Sequence, residues 1–268
     1  MASAQQQKRN QFILIGGTLI AVIVLLAYLG AQEYAPGKAE EKAAAKAVDP
    51  TTLTQSEEIQ LGLKASPALV QQYKGVSTNT DQNALVMRVG SAIAGTEDVA
   101  GAGWKFQFQL LAEPDIINAF ALPGGQIFVT SGLLNRLTTE GEVAAMLAHQ
   151  IAHVIARDGV KKLAADGTAS TGLANEDTMG LLASQLVGTN FSSQQETAAD
   201  LLAVKLMGDT GYNPNAMLGF IKILATAYYA GSQVEYFTTH PNPTDRVKAI
   251  QAAIAAAYPA GVPDSMSK

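Results

Sequence analysis

The sequence predicts an α+β fold that is mostly α-helical, with a small antiparallel sheet and one transmembrane helix ahead of it. Three observations support this prediction. Residues 12–31 form an uncharged apolar run, two short stretches between residues 105 and 130 alternate as strands do, and apolar residues recur at helical spacing over most of the chain from residue 131 onward. With 268 residues, 48% of them apolar, the chain is long enough to bury a sizeable core.

The apolar run from Phe12 to Ala31 has 20 residues, about the number needed to cross a ~30 Å hydrocarbon core as a helix. A cleavable signal peptide is the alternative, but the run exceeds the roughly 7–15 apolar residues of such a peptide. Lys8 and Arg9 in the tail of residues 1–11 favour a cytoplasmic N-terminus, although three lysines between residues 38 and 46 weaken that preference. We therefore expect a single-pass membrane protein whose main domain lies outside the cytoplasm, in the periplasm if the host is bacterial.

Residues 32–50 are rich in Ala, Lys and Glu and end at Asp49-Pro50, which predicts a linker. The main domain is predicted to span residues 51–258, followed by a tail over residues 259–268. Helices are predicted at 51–73 and 81–94, with Asp81 as the N-cap of the second. Strands are predicted at 105–111 and 126–130, with a turn between strands at 123–125. Further helices are predicted at 132–136, 139–158, 173–186, 194–207, 214–229 and 243–257.

Composition excludes several classes of function. The net charge of −5 provides no basic excess to neutralise phosphates, so nucleic acid is not an expected partner. The absence of cysteine excludes disulfides, thiol nucleophiles and thiolate metal sites. Any metal ion must therefore be held by histidine, carboxylate or water.

Two of the three histidines, His149 and His153, lie four residues apart on a predicted helix. That spacing places both imidazoles on one face, where zinc metallopeptidases hold their metal. Those enzymes carry glutamate where this chain has Gln150, because the reacting water needs a base. A pair of histidines packed in the core is the alternative interpretation.

A catalytic zinc site takes a third protein ligand from elsewhere in the chain. Our candidate is Glu196, which shares a helical face with Asp200, so that one carboxylate reaches the metal and the other supports an imidazole. Two solvated carboxylates on a helix surface are the alternative. The third histidine, His240, precedes Pro241-Asn242-Pro243, a stiff loop that could aim its ring at a developing oxyanion. Spacing does not distinguish this role from that of a loop or capping histidine.

Four segments together resemble the signature blocks of peptidase family M48, which are zinc endopeptidases. They cover residues 147–154, 118–129, 196–200 and 239–241, and their order and spacing also fit. Residues 56–62 are similar to the N-terminal helix of that family, so the resemblance extends from about Thr54 to Ala257.

The resemblance implies a zincin-like metallopeptidase domain with one Zn²⁺ ion per chain. It implies His149, His153 and Glu196 as the zinc ligands, Asp200 as support for a ligand, and His240 as the stabiliser of the oxyanion. It also implies Arg246 near the active site, where a salt bridge that fixes the loop explains the arginine equally well. The implied substrate is a polypeptide in extended form, lying along a strand at the sheet edge made of Gln126, Ile127, Phe128, Val129 and Thr130.

Gln150 is the departure from the family pattern. A glutamine can hydrogen-bond the reacting water but cannot accept its proton at neutral pH. The chain is then a natural non-catalytic relative, an inactivated variant, or an enzyme in which another carboxylate such as Glu142 acts as base, although Glu142 lies two helical turns from His149.

The predicted function is that of a membrane-anchored zinc metalloendopeptidase-like protein that acts on extended or misfolded polypeptides with reduced activity. Two alternatives belong to other classes of protein. An inactive zinc-binding pseudopeptidase would hold polypeptides without cleaving them. A metal-free structural membrane protein would bind no zinc.

Overall fold

The computed structural model describes residues 50–165, 190–240 and 243–266. The predicted tail, membrane span and linker at the N-terminus, and the helix predicted at 173–186, lie outside these ranges. Among the described helices, none has the length and apolar character needed to span a bilayer.

Three helices precede the sheet: α1 (Gln55–Gln72), α2 (Thr80–Ala94) and α3 (Glu97–Gly101), after a 3-10 turn at Pro50–Thr52. Helix α1 begins with a capping box in which Thr54 and Glu57 satisfy each other's backbone N–H groups. The prediction of Asp81 as the N-cap of α2 is wrong. The side chain of Asn79 accepts the bond from the N–H of Gln82, so Asp81 lies within the first helical turn.

The sheet contains β1 (Gln107–Leu111), β2 (Ala119–Ala121) and β3 (Gln126–Thr130), in the order β1-β3-β2. The predicted antiparallel sheet is wrong in one pairing, because β3 is antiparallel to β2 and parallel to β1. The turn at residues 123–125 joins β2 and β3 as a hairpin. Strand β1 then pairs with the other side of β3, where it runs in the same direction as β3.

The prediction that Gln126–Thr130 forms the sheet edge is also wrong. Strand β3 is central and all five of its residues are buried. The edge on that side of the described sheet is β2, and it packs against the histidine-bearing helix.

The remaining described helices are α4 (Ser131–Leu134), α5 (Glu140–Ile155), α6 (Asp158–Ala165), α7 (Ser193–Asp209), α8 (Ala216–Tyr229), α9 (Tyr236–Thr239) and α10 (Pro243–Ala257). The helix predicted at 139–158 is thus divided. Helix α5 ends because Arg157 adopts the left-handed conformation, with φ of 58°, just beyond the C-cap Ala156. Helix α6 starts at the next residue, Asp158.

The sheet separates two parts of the core. Ile127 and Val129 of β3 belong to a large cluster with residues of α2, α5, α7 and α8, whereas Phe128 belongs to a second cluster with Leu61 and Leu69 of α1. Helix α5 is buried on every side from Gly141 to Val154. Complete burial of a polar helix face is costly unless its groups are paired, so the histidines of α5 require partners within the fold.

Candidate metal centre

His149 and His153 lie on α5 with their Nε2 atoms 3.0 Å apart. Both rings are buried, at 0% and 3% exposure. Their other nitrogens face carboxylates: Nδ1 of His149 lies 2.8 Å from Oδ1 of Asp200, and Nδ1 of His153 lies 2.8 Å from Oδ2 of Asp158. The Nδ1 contact of His153 is an aligned hydrogen bond, whereas that of His149 is close but not aligned. An imidazole whose Nδ1–H lies beside a carboxylate keeps its lone pair on Nε2, which is the form that binds a metal.

Glu196 comes from the first turn of α7 and faces both imidazoles. Its Oε2 lies 3.6 Å from Nε2 of His149, and its Oε1 lies 3.5 Å from Nε2 of His153. The side chain is fully buried and accepts no aligned hydrogen bond from the described residues, although Nη1 of Arg246 lies 2.8 Å from Oε2. The structure therefore brings together the three residues that the sequence predicts as ligands.

These donors fit a tetrahedral divalent cation. Ligand atoms about 2.0–2.1 Å from a tetrahedral zinc ion lie about 3.3 Å from one another. The two Nε2 atoms are 3.0 Å apart, and each lies 3.5 or 3.6 Å from a different oxygen of Glu196. The ion pair with Arg246 offsets part of the cost of burying Glu196, but neither of its oxygens accepts an aligned hydrogen bond from the described residues, which is costly unless a cation lies among the donors. The donor set therefore suits a metal ion.

Asp200 is held by Arg246, which lies on α10. The guanidinium donates two bonds of 2.7 Å, from Nε to Oδ2 and from Nη2 to Oδ1. Burial alone would raise the pKa of Asp200, but Arg246 and His149 outweigh it and lower that pKa to about 2. Asp200 is therefore ionised at neutral pH. Arg246 forms a salt bridge with it, which is one of the two roles considered for Arg246 from the sequence.

His153 and His240 have pKa values shifted in opposite directions. Burial opposes the charged form of His153, but Asp158 and Glu196 outweigh burial and raise its pKa. Burial lowers the pKa of His240 well below its ordinary value, and the neighbouring His149 and His153 lower it further. His240 is therefore neutral at pH 7. His153 takes up a proton more readily as the pH falls, and a metal ion must displace that proton in order to bind.

His240 belongs to the same group, since one nitrogen of its ring lies within 4.8 Å of the ligand atoms of His149, His153 and Glu196. Its Nδ1 lies 3.3 Å from the carbonyl oxygen of Tyr236, and its ring stacks on the Tyr236 ring with centroids 4.1 Å apart. A carbonyl only accepts, so the neutral ring keeps its proton on Nδ1 and its lone pair on Nε2.

The side chain of Gln150, a residue of α5, faces His240 and is 1% exposed. Its Nε2 is 3.3 Å from Nε2 of His240, so the amide donates to the imidazole lone pair. Glu142, the other carboxylate considered as a base, caps the helix instead: its Oε2 accepts from the N–H groups of Thr138 and Thr139 at 2.6 and 3.0 Å. Among these residues, the position beside the metal ligands where a proton acceptor is expected therefore holds an amide.

Sequence reasoning missed several residues around the ligands. Asp158 and Gln195 form a hydrogen-bonded pair behind His153, and the ring of Phe191 stacks on His153 with centroids 4.2 Å apart. The sequence signal that could have identified Asp158 is its position, five residues after His153 and just beyond the end of the helix. A cleft beside the centre is lined by residues that include Phe120, Leu122, Gln150, Val154, Phe191 and His240.

Comparison with known proteins agrees with this geometry. The profile of Peptidase family M48 matches residues 80–254. Mitochondrial metalloendopeptidase OMA1 of Schizosaccharomyces pombe is 31% identical over 169 residues, which cover 60% of this chain and 48% of that protein. The beta-barrel assembly-enhancing protease of Escherichia coli K12 is 28% identical over 219 residues, covering 74% and 44%. Metalloprotease LoiP of the same bacterium is 29% identical over 147 residues, covering 50% and 58%.

The chain spans about half the length of these relatives. The family profile covers well over half of the chain and includes both histidines of α5, Glu196 and His240. The resemblance predicted from the sequence is confirmed, and the chain belongs to peptidase family M48.

Proposed function

We propose that this protein is a zinc metalloendopeptidase-like protein that holds one Zn²⁺ ion per chain with His149, His153 and Glu196. The observation that carries the proposal is the convergence of three buried electron-pair donors, with each histidine anchored through Nδ1 by a carboxylate. A zinc ion bound there would act as a Lewis acid toward a peptide carbonyl. Asp200 and Arg246 would keep the ligands oriented.

Gln150 would limit the reaction. A carboxylamide cannot take a proton from water at neutral pH, and general acid–base catalysis contributes roughly 10²–10⁴-fold. The amide also keeps the lone pair of His240 pointed at itself, so Nε2 has no proton to donate to an oxyanion. A carboxylate at position 150 would supply the base and would also favour a proton on Nε2 of His240.

The proposed substrate is a polypeptide in extended form, paired with β2. The backbones of Asn118 and Leu122 bond to β3. In an antiparallel ladder the inward and outward groups alternate, so the N–H and C=O groups of Ala119 and Ala121 point away from β3. A peptide that added a strand there would pass alongside α5, with the cleft receiving side chains.

The second candidate function is a pseudopeptidase that binds zinc and holds extended polypeptides without cleaving them. Gln150 favours it, because the observed geometry preserves the ligands and the edge strand while placing an amide where a proton acceptor is expected. In either case we propose that residues 12–31 anchor the protein in a membrane, with the peptidase domain extracytoplasmic. The apolar character and length of that run support this placement.

One paired experiment tests the proposal: zinc content and cleavage of casein are measured for the wild type, Q150E and Q60E. Gln60 is exposed on α1, so Q60E adds the same charge away from the site. We expect about one zinc ion per chain in all three proteins, and a gain in rate of roughly 10²-fold or more for Q150E alone, abolished by a chelator. Full zinc without any gain in Q150E supports the binding function, and no stoichiometric zinc in any of them rejects both candidates.

A further inference from the structure

Asp158 is a buried carboxylate that contacts a candidate ligand and that the sequence analysis did not single out. It is the first residue of α6, and its Oδ2 lies 2.8 Å from Nδ1 of His153. Its side chain is 4% exposed, so water contributes little to the contact. Asp158 thus contacts one nitrogen of the His153 ring, whereas Glu196 faces the other.

The second oxygen of Asp158 is bonded to Gln195. Oδ1 accepts a bond of 2.9 Å from Nε2 of Gln195. Gln195 is the third residue of α7, and its Oε1 accepts from the N–H of Ser192 at 2.9 Å in a capping box. That bond fixes which end of the amide faces Asp158. A single chain of hydrogen bonds therefore runs from His153 through Asp158 to the residue immediately before Glu196.

The backbone at Asp158 is held from a third side. Arg157 is in the left-handed conformation, with φ of 58°, which is unfavourable for a residue other than glycine. Its side chain compensates by pairing with the buried Glu58 of α1 and by donating to the carbonyl of Leu53 at 2.7 Å. Contacts with α1 thus fix the corner from which Asp158 reaches His153.

We propose that Asp158 is the positioning residue of His153, and that Gln195 couples it to the segment that carries Glu196. The carboxylate holds the Nδ1–H form of the ring and its rotation, so that Nε2 is directed at the ion. Through Gln195 the same group sets the separation between two ligands that come from different helices. This inference rests on the proposed zinc site, and its test separates the two.

The amide pattern suggests a rescue experiment. In D158N one of the two carboxylate oxygens is replaced by an NH2 group, which is a donor. Either the Nδ1–H of His153 or the side-chain amide N–H of Gln195 then faces another donor. Adding Q195E reverses the second partner: its carboxylate still accepts from Ser192, and it accepts from the new amide, which leaves the carbonyl of that amide for His153. The double variant therefore restores the hydrogen-bond pattern, with the negative charge on residue 195 instead of residue 158.

The readouts are the dissociation constant for Zn²⁺, from competition with a chelator, and the visible absorption spectrum of the Co²⁺-loaded protein. We expect D158N to bind zinc about 10–100-fold more weakly and to change the Co²⁺ bands. Q195E alone, which opposes two carboxylates, should also bind more weakly, and D158N/Q195E should recover most of the affinity and the bands. The control is D115N, which removes an exposed carboxylate that pairs with Lys74.

Two outcomes overturn the inference: a D158N protein with unchanged zinc affinity, or a double variant no better than the product of the single losses. Circular dichroism of the metal-free proteins identifies a variant that fails to fold, in which case Q195E and the double variant decide. If the wild-type chain binds no zinc, the proposed function itself fails. Wild-type binding with no loss in D158N rejects only the role of Asp158.

Discussion

At the scale of single residues, the amide of Gln150 determines the hydrogen-bonding state of His240. The two Nε2 atoms are 3.3 Å apart, with the imidazole accepting. We expect Q150E to raise the pKa of His240, because a carboxylate at that distance stabilises the imidazolium ion. The protonated form should then persist to higher pH in Q150E than in the wild type.

This shift can be measured by NMR titration of the histidine rings in chelator-treated protein, with the His240 signal assigned by its loss in H240Q. Q60E, which carries the same added charge on an exposed position of α1, should leave the titration unchanged. An equal pKa in wild type and Q150E would show that residue 150 does not contact His240 in solution.

The ionisation of Asp200 makes the free energy of unfolding depend on pH in the acid range. Its folded pKa of about 2 lies below its ordinary value of 3.8, so its contribution is complete above about pH 4 and is lost as the pH falls toward 2. The shift corresponds to about 2 kcal/mol. We expect D200N to lower the free energy of unfolding by about 3 kcal/mol at pH 7, because it removes the carboxylate that accepts two bonds from the buried Arg246 and leaves the ion pair with Glu196.

Urea unfolding of chelator-treated protein between pH 7 and the lowest pH at which the wild type remains folded tests this expectation. The difference between wild type and D200N should narrow below about pH 4, where the unfolded wild type starts to take up the proton. A difference that stays constant or widens on acidification would contradict the linkage. D115N, at an exposed carboxylate, should change stability by less than about 1 kcal/mol.

Sequence patterns predicted the residues that share a helix face. His149 with His153, and Glu196 with Asp200, are related by four-residue spacing, and the structure brings all four together. Asp158 and Gln195 could not be found in that way. Their contact depends on the left-handed turn at Arg157, and no periodic pattern encodes such a turn.

At the scale of elements, β2 rather than β3 is an edge strand of the described sheet, and it is the strand with which we propose that a peptide pairs. The N–H of Ala121 points away from β3, so proline at this position removes an outward donor without breaking the hairpin. We expect A121P to weaken binding of an unstructured peptide by roughly fivefold, one hydrogen bond being worth about 1 kcal/mol. Zinc affinity should not change.

Peptide binding can be monitored by fluorescence anisotropy, with A121S as the matched variant that keeps the N–H group. A121S should bind as the wild type does. Equal peptide affinity in A121P, with a thermal stability like that of A121S, would place the peptide elsewhere.

Helix α1 meets the β2–β3 turn at Gly62. A methyl group there would lie 2.1 Å from the carbonyl oxygen of Pro123 and 2.0 Å from Oε1 of Gln126. We expect G62A to lower the free energy of unfolding by about 2 kcal/mol or more, since the clash with backbone forces the helix from the sheet. Chemical denaturation measures this, and G101A, which meets no atom within 4 Å, should not destabilise. Equal stability of G62A and wild type would show that α1 does not approach the turn so closely.

The sequence predicted the helices more accurately than the sheet. Long apolar periodicity located α1, α5, α8 and α10 to within a few residues. Strand order depends on contacts between distant segments. Strands near β1 and β3 and the glycine turn at 123–125 were predicted, whereas strand β2 and the parallel pairing of β1 with β3 were not. The same limitation placed Gln126–Thr130 at the edge when it lies at the centre.

At the scale of the whole molecule, residues 47–268 form one compact unit with its own core. We expect a fragment of residues 47–268 to remain soluble and to bind zinc with the affinity of the full chain, whereas the full chain should sediment with membranes because of residues 12–31. Fractionation after expression and then zinc titration measure both. A full chain that stays in the soluble fraction would reject the anchor.

The pairing of Arg157 with α1 has a consequence for the smallest unit that folds. The family match begins at residue 80. Truncation there would remove Glu58 and Leu53, which pair with the guanidinium of Arg157, and would expose Phe128 on the face of the sheet that α1 covers. A polypeptide trimmed to the match should therefore aggregate or melt at a much lower temperature than one starting at residue 47. We expect the autonomously folding domain of this chain to be larger than the segment by which its family is recognised.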